Sequence, residues 1–78
     1  MADHTLTLDE PPPPGMPDRV ALHSFEAGGV RQCQVKADDE TWTPDAGHAT
    51  PRDLHNWLLR NGYRSVAGTL PPVYERGT

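Results

Sequence analysis

The apolar positions of the chain fall into two clear patterns, one with the period of a strand and one with the period of a helix. Residues Arg19 to Trp42 read RVALHSFEAGGVRQCQVKADDETW. They form two β-leaning runs about Gly28-Gly29, a pair that supplies the positive φ angles of a tight hairpin turn. Pairing about that turn sets Glu26 opposite Arg31, Ser24 opposite Cys33, Leu22 opposite Val35 and Val20 opposite Ala37. Side chains alternate along a strand, so one register puts all of these on one mostly apolar face. The other face, with Ala21, His23, Phe25, Gln32, Gln34 and Lys36, is expected to be wet. A polar turn then leads to a third short strand around Thr41 to Thr43, with Trp42 capping the sheet or packing under a helix, and to a loop over PDAGHA.

The helical pattern is TPRDLHNWLLRNGY, Thr50 to Tyr63. Thr50 is placed as N-cap, Pro51 sits at the first helical position where its missing N–H is no loss, and Asp53 stands where a capping-box acid belongs. Asn61-Gly62 ends the helix, with Arg60 near the negative end of its dipole. Leu54, Trp57 and Leu58 share one face at helical spacing. Arg52, Asp53, His55, Asn56 and Arg60 fall mainly to solvent, and Leu59 lies off the core stripe. YRSVAGTL alternates weakly and is expected to return as a strand. The fold class that results is α+β: a small antiparallel sheet, the hairpin plus one or two short strands, with one helix packed on one face.

The two ends read differently. LDEPPPPGMPD holds five prolines with little to bury, so residues 1–18 are expected to form a disordered, acidic, Pro-rich leader, with Pro11 to Pro14 in polyproline II. The core domain is then 19–70, and 71–78 an extended tail. Within that tail Pro71-Pro72-Val73-Tyr74 matches P-P-x-Y and resembles the ligands of WW domains, which implies that Pro71, Pro72 and Tyr74 act as a tail ligand.

Composition narrows the functional classes. A chain of 78 residues has room for one domain, and its hydrophobic share of 35% points to a thin core rather than a deep enclosed active site. The net charge of −4 belongs to the leader, which has four acids and no Lys or Arg, while residues 19–78 carry seven acids and seven bases. A balanced core gives no electrostatic footprint for a phosphate backbone and argues against nucleic-acid binding. Cys33 is the only cysteine, so no intrachain disulfide or thiolate zinc cluster can form. In the hairpin register Cys33 and His23 point to opposite faces, which removes His23 as a base for a thiolate nucleophile. Of the histidines, only His48 and His55 could meet near a carboxylate, Asp45 or Asp53, and their spacing is not that of a metal site. No cofactor, metal or catalytic constellation is expected. No apolar run approaches a membrane span and the first residues carry no basic leader with a hydrophobic segment, so the expected location is cytoplasmic.

These observations lead to a small non-catalytic protein that binds another protein, as a regulatory, accessory or inhibitor-type module. The expected working surface is the late edge of the helix, Leu59, Arg60, Tyr63 and Arg64, because aromatic and arginine side chains concentrate binding energy at interfaces. The alternatives are a structural subunit of a larger assembly such as a phage particle or enzyme complex, the P-P-x-Y ligand, and a weak nucleic-acid binder.

Overall fold

Alternation in the strand-forming segments builds one mixed sheet, and the helix closes one side of it. The computed structural model describes residues 2–45 and 50–77. Its strands are β1 (Ala2–Leu6), β2 (Arg19–Ala27), β3 (Val30–Ala37), β4 (Glu40–Pro44), β5 (Tyr63–Val66) and β6 (Val73–Arg76), with helix α1 (Pro51–Arg60) between β4 and β5 in the chain. The order across the sheet is β1-β4-β3-β2-β6-β5. β1 runs parallel to β4, and every other neighbouring pair is antiparallel.

The central hairpin has the register its glycines imply, with Glu26 opposite Arg31, Ser24 opposite Cys33 and Leu22 opposite Val35. Gly28 and Gly29 take φ of 59° and 79°, the left-handed values that a two-residue hairpin turn needs and that side chains resist. The helix start also forms as expected. Thr50 Oγ1 accepts from Asp53 N–H at 3.2 Å, and Thr50 N–H donates to Asp53 Oδ2 at 3.1 Å. Asn61 closes the other end, its side-chain amide donating to Trp57 O at 2.8 Å. Leu54, Trp57 and Leu58 are the buried helix residues and Leu59 stays 45% exposed, so the apolar stripe is oriented as its spacing predicts.

The sheet is larger than expected because both ends of the chain join it. The leader, expected to be disordered, supplies β1, in which His4 pairs with Trp42 and Leu6 with Pro44. Leu6 and Met16 are among the most deeply buried residues, and Leu8 packs against the same core. The Pro-rich segment is held by its carbonyl groups. Trp57 Nε1–H donates to Glu10 O at 3.0 Å, Tyr63 O–H donates to Pro17 O at 2.6 Å, and Arg76 Nη2 donates to Met16 O at 2.8 Å. Buried Trp and Tyr need a partner for their polar atom. Here the leader provides it. Prolines also reduce the entropy lost on ordering, since their φ is fixed already in the unfolded chain. The proline count therefore misled the expectation: it hid three apolar anchors, Leu6, Leu8 and Met16, and a row of available acceptors.

The C-terminal segment is likewise not a tail. β6 lies between β2 and β5, with Tyr74 opposite Val20 on one side and Ser65 on the other. The turn from β5 is stapled by Thr69, whose hydroxyl donates to Val66 O at 2.9 Å and accepts from Val73 N–H at 2.9 Å. Leader, core segment and tail thus share one core of Leu6, Met16, Val20, Leu22, Cys33, Val35, Trp42, Leu54, Trp57, Leu58, Tyr63 and Tyr74. Among the described residues no buried side-chain nitrogen or oxygen lacks a partner.

This packing predicts opposite outcomes at neighbouring helix positions. Trp57→Ala should cost about 3–5 kcal/mol, through the cavity it leaves and the loss of the donor to Glu10. Leu59→Ala should stay within about 0.5 kcal/mol of the parent. Urea denaturation of the full chain measures both.

Candidate interaction surface

The same alternation that fills the core leaves the other sheet face without a covering element among the described residues. The side chains next in register to the buried ones point away from α1. Across four strands they form two rows. One runs Lys36, Ala21, Val73 and Val66. The other runs Arg19, Glu75 and Arg64. Arg19 Nη1 meets Glu75 Oε2 at 2.6 Å, whereas Lys36 and Arg64 have no ion pair among the described residues. Because Ala21 is short, the first row dips into a shallow depression of about 240 Å³ bordered by Arg19, Lys36, Ala37, Asp38 and Val73.

Farther along, β2 and β3 outrun the core. Residues 24–31 are all exposed, so the hairpin projects as an arm about 13 Å long, four residues at a strand's rise. On the α1 side of this arm Arg31 donates to Ser24 Oγ at 3.3 Å and Glu26 Oε1 at 3.4 Å. With both charged groups more than half exposed, that pair adds little to stability. On the other side lie Phe25, Ala27 and Val30, with Phe25 38% and Val30 40% exposed. Phe25 faces Gln32 and Ala27 faces Val30 across the strands, so the apolar side of the arm continues the open sheet face.

Charge separates this face from the rest of the surface. Arg19, Lys36 and Arg64 are matched there by Asp3, Glu75 and Asp38, so the net −4 of the chain lies elsewhere. The open face is a neutral, partly apolar plane on an acidic protein.

The residues expected at the helix edge do not assemble. Leu59 and Arg60 are exposed at the end of α1, but Tyr63 is only 2% exposed, with Arg76 5.0 Å above its ring, and Arg64 belongs to the open face on the far side of the sheet. The reason is the tight turn at Gly62, φ 92°, which puts Tyr63 directly into β5 and points it at the core. Nor do Pro71, Pro72 and Tyr74 form a free ligand. Both prolines are exposed, but Tyr74 is buried within β6 and its hydroxyl is hydrogen bonded to His55 Nδ1 at 2.6 Å. One contact escaped sequence reasoning altogether: His4 stacks on Trp42 with ring centroids 4.9 Å apart, and its Nε2 lies 3.1 Å from Glu40 Oε1. Only the pairing of β1 with β4 brings these three residues together.

The reactive groups are subdued. Burial pushes the Cys33 thiol above its ordinary range, and the Asp53 carboxylate adds to that shift. Burial also raises Tyr63 and Tyr74, with Arg76 opposing the shift at Tyr63 and Asp18 adding to it. Among the described residues no three His, Cys, Asp or Glu side chains are grouped to hold a metal ion. His48, considered beside His55 as a ligand, lies outside the described residues. No described helix is long and apolar enough to cross a membrane. No family model matches the chain, and no curated protein or solved structure is significantly similar to it.

The raised thiol and phenols give stability a pH dependence of defined sign. The folded chain holds these protons to higher pH than the unfolded one, so the contribution is complete below the unfolded pKa values and is lost as pH rises through the folded ones. Stability should therefore fall from about pH 8.5 upward, where an unfolded thiol begins to ionise, and further near pH 10 as unfolded phenols do. Urea midpoints measured from pH 7 to 10.5 test this, and Cys33→Ala should flatten the first part of the decline.

Proposed function

We propose that the chain is a small non-catalytic protein-binding module, of regulatory or accessory type, that engages its partner with the open sheet face and the projecting β2–β3 arm. The observation that carries this reading is the arm: Phe25, Ala27 and Val30 stand together on a strand pair with no described element beneath them. A two-stranded hairpin is marginal by itself in water. Beyond the edge of the core it gains little by displaying a phenyl ring and an isopropyl group. It gains much more once a partner covers them. The neutrality of the face supports the same reading, since a partner docking there meets none of the net negative charge of the protein, and neighbouring arginines and polar side chains resemble the mixed composition of non-obligate interfaces. A constitutive subunit of a larger assembly would use the same surface and differ in the permanence of the complex.

The test is affinity capture from the native host with full-length protein and with the Phe25→Glu, Val30→Glu double variant. Both substitutions are at exposed positions, so the variant should melt within about 3 °C of the parent. The parent should retain a stoichiometric protein partner that the variant loses. Equal capture by both, with loss on Leu59→Asp instead, would return the working surface to the end of the helix.

A further inference from the structure

We infer that the partner segment recognised by the open face is an extended acidic peptide with two carboxylates four residues apart and an apolar side chain midway between them. The inference rests on the protein-binding reading above and adds the chemistry of the partner. It starts from the two cations of the face that have no ion pair among the described residues, Lys36 on β3 and Arg64 on β5. Glu75 lies between Arg19 and Arg64 in register, but its carboxylate is engaged by Arg19 at 2.6 Å. Arg64 is left available. The strands β3, β2, β6 and β5 are consecutive in the sheet, and Lys36 and Arg64 stand in different rows, so three strand spacings across and two residues along separate them by about 16 Å. Between them the face is low, with Ala21 on the floor of the depression, Val73 beside it and the Arg19–Glu75 ion pair along the other row.

An extended chain rises about 3.3 Å per residue and presents alternate side chains to one side. Acids at the first and fifth positions then lie about 13 Å apart on that side, and the long side chains of Lys36 and Arg64 lean inward over the remaining few ångströms. The third residue falls beside Ala21 and Val73, next to the aliphatic stems of Arg19 and Glu75, where a valine or leucine reaches the shallow depression. Such a segment would cross the strands at a steep angle, as the strands of two orthogonally packed sheets cross each other. Asp38 borders the same depression and opposes a carboxylate placed toward its end, so the acid must sit on the Lys36 side. A single-stranded nucleic acid fits less well. It wants an unbroken line of cations with several stacking rings, whereas Glu75 and Asp38 interrupt the cations here and Phe25 is the one phenyl ring on the face.

The probe is a capped pentapeptide of glutamate, alanine, valine, alanine and glutamate, titrated into isotopically labelled full-length protein and followed by amide chemical shifts. Saturable shifts at Ala21, Lys36, Arg64 and Val73 are expected. Lys36→Glu and Arg64→Glu should each weaken binding at least tenfold while leaving the remaining spectrum folded, and the peptide with both glutamates changed to glutamine should also bind at least tenfold more weakly. The inference is overturned if no saturable shifts appear, if the glutamine peptide binds equally well, or if the shifts come only with an oligothymidylate of matched charge. Self-association of the protein through these residues without peptide binding overturns it too, assigning the face to a second copy. Partner capture that is lost with Phe25→Glu, Val30→Glu but survives Lys36→Glu would sink this inference and leave the protein-binding reading standing; capture unaffected by any of them would sink both.

Discussion

The burial of Trp57 beneath the first eighteen residues is the constraint on which the rest of the fold depends. α1 is ten residues long, too short to be stable alone in water, and the sheet offers it one face. An indole 1% exposed at the centre of that contact has to be covered on the side the sheet does not reach, and its N–H needs an acceptor. The leader meets both needs. Glu10 supplies the carbonyl, Met16 and Leu8 join the same core, and Pro17 accepts from Tyr63 at the start of β5. Leu6 extends the same layer into β1, which pairs with β4 and caps that edge of the sheet. A small domain has little core to spare, and here the core is complete only when residues far apart in sequence converge on one helix.

With the segment between β1 and β2 committed to the α1 side, the opposite sheet face keeps its rows of short and polar side chains exposed. The layer arrangement, one helix and one loop on a six-stranded sheet, thereby concentrates the net charge of the protein away from the open face. That face inherits the arm because β2 has nine residues and β3 eight, while β4 and β6 have five and four. Among the described residues the excess length has no third strand to pair with and no element to pack on. Strand length, more than any single residue, produces the candidate binding element.

Much of the local structure was legible in the sequence because it is set by short-range chemistry. Gly28-Gly29 gives the hairpin its register, and Thr50, Pro51 and Asp53 mark the helix start. The spacing of Leu54, Trp57 and Leu58 orients the helix. What was not legible depends on long-range pairing. β1 is short and lies parallel to a strand more than thirty residues away in sequence, so no local turn announces it. Composition pointed the wrong way for residues 1–18, since prolines that suit a disordered linker also suit a loop whose carbonyls are needed by buried donors. Tyr74 was ambiguous for a related reason: P-P-x-Y describes a ligand when the chain is free, but a β-strand entered from a turn has the same residues. At the candidate surface, the wet face of the hairpin was readable, whereas the burial of Tyr63 and the transfer of Arg64 to the far face follow from the position of β5 in the sheet.

The most direct test of this account is the thermal and urea unfolding of a chain that begins at Asp18. Removing residues 1–17 exposes Trp42, Trp57 and Tyr63, leaves two buried donors without acceptors, and discards the burial of Leu6 and Met16. At about 1.5–3 kcal/mol for each apolar side chain and about 1 kcal/mol for each hydrogen bond, the loss approaches the whole stability of a domain this size. The shortened chain should show no cooperative transition at 25 °C. A truncated protein that melts at the temperature of the full chain would contradict the account, because the leader would then be an appendage and the core would close without it.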